Sequence, residues 1–501
     1  MKPVSRRRFL AQAAGAAAAA SLPGRAFAQS APAPKRNVLF FMSDDMRVEL
    51  GCYNSRFGAQ TPNIDKLASQ GVRFDRNYCQ FPLCNPSRAS MLTGRHATTT
   101  GVLGNRTDFR KAHDDYVSLP QLFKQNGYAS LRTGKIFHGG IDDPKAWTEG
   151  GGIQPADAFD VGQAQPDAAP PGAASRPARG AARGAPLSKA ANSDRIIVLE
   201  GNGEGNGDYN IADRAIEYLN QYKNKPFFLA CGFTKPHSPP AAPKRLYDLY
   251  DLDKIELTPD YAPVPTVPPG FPRAAIRPRN ADLFIGRPST VKEAKEVIRA
   301  YIASISWVDW NLGRVVAELE RLGLRDNTLI VFVPDHGYQL GEKGKWSKAG
   351  SLFEMGCRIP MMIHAPGAKG NGQTCYRTVE SVNIYSTVAE LCGIPLPDGI
   401  EGRSLTPLLN DPTAEWNHPA FSVWSEDGTT LHGTAVRTAD WRYAEFGLEG
   451  ANGAMLFDVH KDPLEMTNLA DDPAYAKVRA ELSPLVRHYA SNLGKTQTPM
   501  V

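Results

Sequence analysis

Along the first two thirds of the chain, short runs of β-branched and aromatic residues alternate with segments whose apolar residues recur every three to four positions. That alternation predicts βαβ units around a large, mostly parallel sheet flanked by helices. Four runs predict strands, at 38–42, around 129–132, at 227–231 and at 329–333. Between the last two, Val297, Ile298, Tyr301, Ile302, Ile305, Val308, Leu312, Val315, Val316 and Leu319 keep helical spacing, and Gly323 supplies a C-cap. Beyond about residue 410 the runs shorten, at 434–437, 441–446 and 455–459, and a terminal helix starts near Ala474. A large α/β domain over 34–410 and a smaller α+β domain on an antiparallel sheet over 411–501 are therefore expected. Two stretches break the pattern. Residues 161–190 are dominated by Ala, Pro and Gly with almost no large apolar side chains, so they predict a mobile surface insertion that cannot pack a core. Residues 259–272 are Pro-rich and predict an extended, ordered loop walling a cleft.

With 501 residues and 42% hydrophobic side chains, the chain can bury a sizeable core. Residues 1–28 resemble a twin-arginine export signal: Ser5-Arg6-Arg7-Arg8-Phe9-Leu10, a weakly apolar run, then Ala26-Phe27-Ala28 as a cleavage site. A periplasmic or secreted location follows. The segment carries five basic residues and no acid, so its removal leaves 52 basic against 52 acidic residues. The net charge of +5 thus belongs to the export segment and argues against nucleic-acid binding. No later run reaches ~18 apolar residues, so no membrane anchor is expected after cleavage. The seven cysteines show neither a C-x-x-C pair nor zinc-type spacing, which leaves buried thiols as the ordinary reading.

In an open α/β sheet, ligands bind outside the carboxyl ends of the strands. The first predicted strand runs into Asp44 and Asp45, the second into Gly134, Lys135 and His138, the third into Lys235 and His237, and the fourth into Asp335 and His336. Singly, each has an ordinary explanation as a cap, a turn or a structural histidine. Together they form one end of the sheet. Three carboxylates gathered there repel one another, and a hard divalent cation relieves that repulsion. The sharpest local signal is Cys84-Asn85-Pro86-Ser87-Arg88. Asn85 suits an N-cap and Pro86 the first helical position, so Cys84 is expected just before a helix N-terminus that favours an oxyanion, with Arg88 one turn inside.

At this segment the chain resembles the sulfatases, in which C-x-P-S-R is both maturation signal and active-site core. The resemblance extends over roughly residues 36 to 470, outside the low-complexity insertion. It includes 37–45, Thr61-Pro62-Asn63-Ile64-Asp65, the stretch from Gly127-Tyr128 to His138, Asp335-His336-Gly337 with Lys348, and Leu456-Phe457-Asp458 through Asn468-Leu469. Ser43-Asp44-Asp45-Met46-Arg47, Thr234-Lys235-Pro236-His237 and Gly341-Glu342-Lys343-Gly344 give the closest look to the iduronate-2-sulfatase branch. Asn85 and Thr133 depart from the small or aliphatic residues usual at their positions, outside the C-x-P-x-R frame.

The resemblance implies an alkaline phosphatase-like fold and hydrolysis of the sulfate ester of a sulfated sugar or uronate. It implies that a formylglycine-generating enzyme oxidises Cys84 to formylglycine (3-oxoalanine), whose hydrate is the nucleophile. It makes Asp44, Asp45, Asp335 and His336, with residue 84, the ligands of Ca²⁺, with Mg²⁺ second. Arg88, Lys135, and Lys235 or Lys348 would neutralise the sulfate oxygens. His237 or Lys348 would protonate the leaving alkoxide, and His138 would accept the proton from the second hydroxyl as sulfate departs. Arg47 would meet a substrate carboxylate, or else lie in an ordinary ion pair. The alternatives are a phosphate or phosphonate ester hydrolase of the same superfamily and a non-catalytic binder of sulfated glycans.

Overall fold

The computed structural model describes residues 35–152 and 188–495. In chain order its strands are β1 (Asn37–Asp44), β2 (Val72–Tyr78), β3 (Ala129–Gly134), β4 (Ile197–Leu199), β5 (Phe227–Pro236), β6 (Ala241–Pro243), β7 (Thr328–Pro334), β8 (Arg358–His364), β9 (Thr374–Glu380), β10 (Ala420–Trp424), β11 (Gly433–Arg437), β12 (Trp441–Phe446) and β13 (Ala454–Asp458). The large sheet has the order β3-β5-β1-β7-β8-β2-β9. Its first four strands run parallel, β8 is antiparallel to both β7 and β2, and β9 is parallel to β2.

Every residue of β1, β5 and β7 is buried, as expected of central strands covered on both faces. Alternation then sorts β1 between two cores. Leu39 and Phe41 join the cluster under the long helix, while Val38, Phe40 and Met42 join the cluster on the opposite face. Each such fully buried side chain is worth ~1.5–3 kcal/mol of transfer free energy.

Helices α1 (Pro62–Gln70), α2 (Cys84–Thr93), α3 (Gly207–Tyr222), α4 (Val291–Arg321) and α5 (Ala476–Ser491) cover the sheets. α4 starts at a capping box, in which Thr290 Oγ1 accepts from Glu293 N at 3.2 Å and Glu293 Oε2 accepts from Thr290 N at 2.9 Å. Gly323, at φ +68°, turns the chain just past its end, as the spacing predicted. Midway along α4, buried Asp309 accepts from Ile64 N at 2.7 Å and Asn63 Nδ2 at 2.8 Å, so it caps the start of α1 from a distance.

The second sheet is antiparallel, in the order β10-β11-β12-β13. Its core is continuous with Tyr78, Phe81, Leu352 and Phe353 from the larger part, and Phe271 and Phe353 pack on Phe457 with centroids 5.8 and 6.3 Å apart. The described residues from Arg36 onward make one compact unit. Residues 1–28, expected to be an export signal, and most of the expected insertion 161–190 lie outside the described residues; Ser188 caps a short helix, Lys189–Ser193. The Pro-rich loop 259–272 does not wall the cleft. It buttresses the turn at 341–344 from behind, through Lys343 N to Asp260 O at 3.0 Å and Thr266 N to Lys343 O at 2.9 Å. The residues after it, Arg277, Ala281 and Asp282, reach the cleft instead.

All seven cysteines are unpaired, five of them buried and Cys52 and Cys392 partly exposed. Among the described residues, no helix is long and apolar enough to cross a membrane.

Candidate active site

The carboxyl ends of β1, β3, β5 and β7 meet the start of α2 at the floor of a cleft of about 730 Å³. Cys84, His138, His237 and Lys348 line that floor. Asp45 leaves β1 with φ +63°, a left-handed conformation unusual for a residue with a Cβ. Three hydrogen bonds surround the turn: Asp45 N donates to Asp335 Oδ1 at 3.1 Å, Tyr301 Oη to Asp45 O at 2.6 Å, and Arg47 N to Tyr301 Oη at 3.1 Å. At the end of β3, Gly134 has φ +71°, and a Cβ there would lie 2.1 Å from Gly232 O. Only glycine allows that approach, which brings Lys135 over β1.

α2 begins two residues earlier than the sequence suggests. Cys84 is already its first residue, preceded by extended Leu83 with no side-chain cap. Asn85 does not cap, because its amide is used elsewhere: Nδ2 donates to Gly104 O at 2.8 Å and to Thr107 O at 2.7 Å. Pro86, in the first turn, has no N–H to leave unpaired.

Asp44, Asp45, Cys84 and His336 place one potential ligand atom each within 4.8 Å of one another, all buried. His336 Nδ1 faces Gly337 O at 3.0 Å, which calls for a proton there and leaves Nε2 directed at Cys84 Sγ, 3.2 Å away, and Asp45 Oδ1, 3.4 Å away. Asp335 lies beside this group. Its Oδ1 accepts from the backbone N–H of Asp45 and His336, and its Oδ2 pairs with Arg88 Nε at 2.8 Å.

Three cations surround the cluster. Arg88, fully buried, also donates to Lys135 O at 2.6 Å and Ile136 O at 3.1 Å, and its Nη2 lies 3.4 Å from Asp44 Oδ1. Lys135 Nζ contacts Asp44 Oδ2. Lys348 Nζ bridges Asp45 Oδ2 at 2.8 Å and Asp282 Oδ1 at 3.4 Å. The ionisation follows from this arrangement. Burial pushes the Asp44 carboxyl up, but Lys135 and Arg88 outweigh it and hold it well below the usual range. Asp45 is compensated less completely, and burial raises it to about 6. Burial and the neighbouring Asp44 push the Cys84 thiol well above its ordinary value, so an unmodified Cys84 is not an activated thiolate. Burial and Lys135 lower His138 to about 3, and burial and Lys348 lower His237, so both rings are neutral near pH 7. Lys348 stays charged, because Asp282 and Asp45 outweigh its burial.

Two side chains expected to touch substrate are placed elsewhere. Arg47 is buried between carboxylates, with Nη1 2.8 Å from Glu342 Oε1 and Nη2 3.2 Å from Glu49 Oε1, so the ion-pair alternative holds and the guanidinium does not face the cleft. Lys235 Nζ donates to His237 O at 2.9 Å and Pro239 O at 2.8 Å and shapes the loop that presents His237. Asp282, the second partner of Lys348, carries no sequence signal because it sits in an irregular loop without periodicity.

A profile of the sulfatase family matches residues 36–394, and one described as N-sulphoglucosamine sulphohydrolase, C-terminal, matches residues 341–491. The chain is 29% identical to the iduronate 2-sulfatase of Homo sapiens, over 87% of this chain and 91% of that one. It is 30% identical to a sulfatase of Formosa agariphila, over 87% and 83% of the two chains, and 30% identical to a choline-sulfatase of Rhizobium meliloti, over 88% and 83%. Among solved structures, a protein in complex with its substrate D-glucosamine-2-N,6-O-disulfate superposes with a TM-score of 0.68 at 22% identity, covering 92% of this chain and 98% of that chain. A phosphonate monoester hydrolase from Silicibacter pomeroyi superposes with a TM-score of 0.69 at 22% identity, covering 92% and 96%. These structures establish the alkaline phosphatase-like fold. Because the family match runs through the strand ends and α2 that build this cluster, the chain belongs to the sulfatase family and is a sulfuric ester hydrolase.

Proposed function

We propose that the protein hydrolyses the sulfate ester of a sulfated sugar or uronate, in the manner of an iduronate-2-sulfatase, through a formylglycine at position 84 beside a bound calcium ion. The observation that carries this reading is Cys84 at the cleft floor, within one cluster with Asp44, Asp45 and His336 and ringed by Arg88, Lys135 and Lys348. Sugar substrates are suggested by the relatives named iduronate 2-sulfatase and by the disulfated glucosamine bound to a structural neighbour.

The residues fit a metal. Asp45 Oδ1 is buried and has no hydrogen-bond partner, a state that costs free energy unless a cation completes it. Asp44, Asp45, Asp335 and His336 would hold the ion together with an oxygen at position 84, and a donor set rich in oxygen favours Ca²⁺ or Mg²⁺ over zinc. Calcium there would supply positive charge for the sulfate oxygens and for a hydroxyl at residue 84. Formylglycine, made by a formylglycine-generating enzyme from the C-x-P-x-R frame, would supply as its hydrate two hydroxyls in place of a thiol held protonated.

The chain's own residues do the rest. Arg88, Lys135 and Lys348 place fixed charge around the sulfate group in a site closed to bulk water on its inner side. His138 Nδ1 is buried without a partner and its ring is neutral, so it can accept a proton from the residue-84 side of the cleft. His237 donates from Nδ1 to Ser238 O at 2.6 Å, leaving Nε2 on the cleft side, 4.0 Å from Asp45 Oδ2. Lys348, which stays charged, would be the donor to the leaving oxygen, because a neutral His237 with its proton on Nδ1 has none on Nε2. Export to the periplasm or beyond rests on the twin-arginine pattern of residues 1–28.

The test is release of sulfate from 4-nitrophenyl sulfate and from a panel of sulfated monosaccharides. Turnover that needs calcium and disappears in Cys84→Ala supports the reading. Turnover retained in Cys84→Ala, or faster turnover of a phosphonate monoester, overturns it.

A further inference from the structure

Lys348, the donor to the leaving oxygen in the proposed reaction, stands between two carboxylates with different surroundings. Asp45, in the buried cluster, accepts from Lys348 Nζ at 2.8 Å, and Asp282, which lines the cleft, lies 3.4 Å from the same nitrogen through Oδ1. Asp45 also faces His336 Nε2 at 3.4 Å and His237 Nε2 at 4.0 Å, so it is shared among several groups. Asp282 has no second cation in ion-pair contact among the described residues; Lys189, which also lines the cleft, acts on it from farther away. Burial pushes the Asp282 carboxyl up, but Lys348 and then Lys189 bring it down to about 2, so it is charged near pH 7.

Asp282 is also fixed. It is 5% exposed, and its other oxygen is in use, because Oδ2 accepts from Ser347 Oγ at 3.0 Å. The loop that carries it is laced to the segment that carries Lys348. Trp346 N donates to Asn280 Oδ1 at 2.9 Å, Asn280 Nδ2 to Gly344 O at 3.3 Å and Leu283 N to Trp346 O at 3.3 Å, while the rings of Phe284 and Trp346 meet edge to face with centroids 5.0 Å apart. Lysine is a point charge on a flexible four-carbon stem, so what holds its head sets its direction. With Asp45 alone, the ammonium would be drawn toward the carboxylates of the buried cluster; Asp282 draws it to the cleft. An ammonium has three donors, so two carboxylates leave one for a ligand oxygen.

We propose that Asp282 is the positioning residue for Lys348, holding the ammonium where it protonates the oxygen that leaves as the ester S–O bond breaks. In that step a new S–O bond forms at residue 84, the alcohol oxygen departs with the bonding pair and takes one proton from Nζ, and the neutral lysine is recharged by the one proton that hydrolysis of a sulfate monoester releases. An alcohol needs that proton in proportion to its basicity, so Asp282 matters most for sugar alcohols and least for acidic phenols. The proposal rests on the sulfatase reading of the cleft and on Lys348 as its donor.

The test compares kcat/KM for 4-nitrophenyl sulfate and phenyl sulfate in the full chain, as wild type, Asp282→Asn, Lys348→Ala and the double variant. 4-Nitrophenolate leaves readily without a proton, whereas the more basic phenolate gains from one. In Asp282→Asn, which keeps the shape of the side chain and an acceptor for Ser347 Oγ, the ratio of 4-nitrophenyl to phenyl sulfate turnover is expected to rise about tenfold over wild type, with the loss in kcat. A merely structural role would lower both esters alike and leave the ratio unchanged. In the Lys348→Ala background, adding Asp282→Asn moves the ratio no further, because the two residues act as one unit. A wild-type ratio in Asp282→Asn, or a further rise in the double variant, overturns the proposal. Absence of wild-type turnover of both esters counts against the sulfatase reading itself and removes the proposal with it.

Discussion

Arg442→Met is expected to destabilise the protein through a single buried cluster that joins the second sheet to the segment behind the site. Arg442, on β12, is 1% exposed. It contacts Glu354 Oε2 through Nη2, lies 2.8 Å from Glu465 Oε1 through Nε, in ion-pair contact without hydrogen-bond alignment, and donates from Nη1 to Leu352 O at 3.3 Å. Glu354 also accepts from Tyr78 Oη at 2.7 Å and lies 3.5 Å from Arg437 Nε, and its N–H donates to Glu465 Oε2 at 2.7 Å. Burial pushes Glu354 up, but Arg442 and Arg437 hold it well below the usual range, while burial raises Glu465 to about 7. Methionine matches much of the arginine stem but leaves Glu354 with Arg437 and the more distant Arg358, and Glu465 without a cation in ion-pair contact. Breaking a buried pair from one side costs about 3–5 kcal/mol. With an unfolding entropy of ~2.1 cal/mol/K per residue over about 430 described residues, the thermal midpoint falls by roughly 3–6 °C at pH 7. The sign with pH follows from Glu354. A depressed folded-state pKa gives stability that is present above the ordinary value of 4.5 and is lost as pH falls, so the cost of the variant starts to shrink below about pH 4.5. Gly337 N donates to Gly356 O at 3.0 Å, so the loosened segment is tied to the residue after His336, and turnover falls with it. Circular dichroism melts at pH 4 and pH 7 read both effects. A midpoint within about 1 °C of wild type at pH 7, or a cost that does not change with pH, refutes the reasoning.

Three further outcomes are expected. Burial raises Asp309 to about 7, so its contribution to stability is present at low pH and is lost as pH rises through that value; Asp309→Asn therefore costs less at pH 8 than at pH 5.5 in urea midpoints, and a flat difference counts against this. His138→Ala lowers turnover by about 10²–10⁴-fold with the fold intact by circular dichroism, and near-wild-type turnover removes His138 from the mechanism. Calcium added to chelator-stripped protein at about 100 times its dissociation constant raises the thermal midpoint by roughly 3 °C and restores turnover, and no shift excludes a metal on these ligands.

The strands that carry the site were legible because they are continuous apolar runs with polar residues at their carboxyl ends, as at 38–45 and 329–336. The other half of the large sheet was not. β2 mixes Arg73, Asp75 and Arg76 into its run and is bulged between Phe74 and Asn77, and β8 contains Pro360, which argues against a strand. β10 was hidden for a different reason: five residues between loops give too short a pattern to read. Within the site, the strand ends brought Asp44, Asp45, Lys135, His138, His237, Asp335 and His336 together because they converge by topology, the helix-start motif added Cys84 and Arg88, and the family resemblance added Lys348. It misdirected Arg47 and Lys235, whose destinations depend on Glu342, Glu49 and the carbonyls of 237 and 239, contacts that arise only in three dimensions. Asn85 looked like a cap, and only the path of the 104–107 loop shows what its amide holds.

The central claim is that residue 84 is converted, and mass spectrometry of the peptide containing it, from protein made in a host that matures other C-x-P-x-R proteins, tests it most directly. Conversion replaces –CH₂–SH by –CH=O, so the account predicts a peptide lacking one sulfur and two hydrogens and carrying one added oxygen, absent from Cys84→Ala. An intact, alkylatable thiol at Cys84 in protein that nevertheless turns over 4-nitrophenyl sulfate would contradict it.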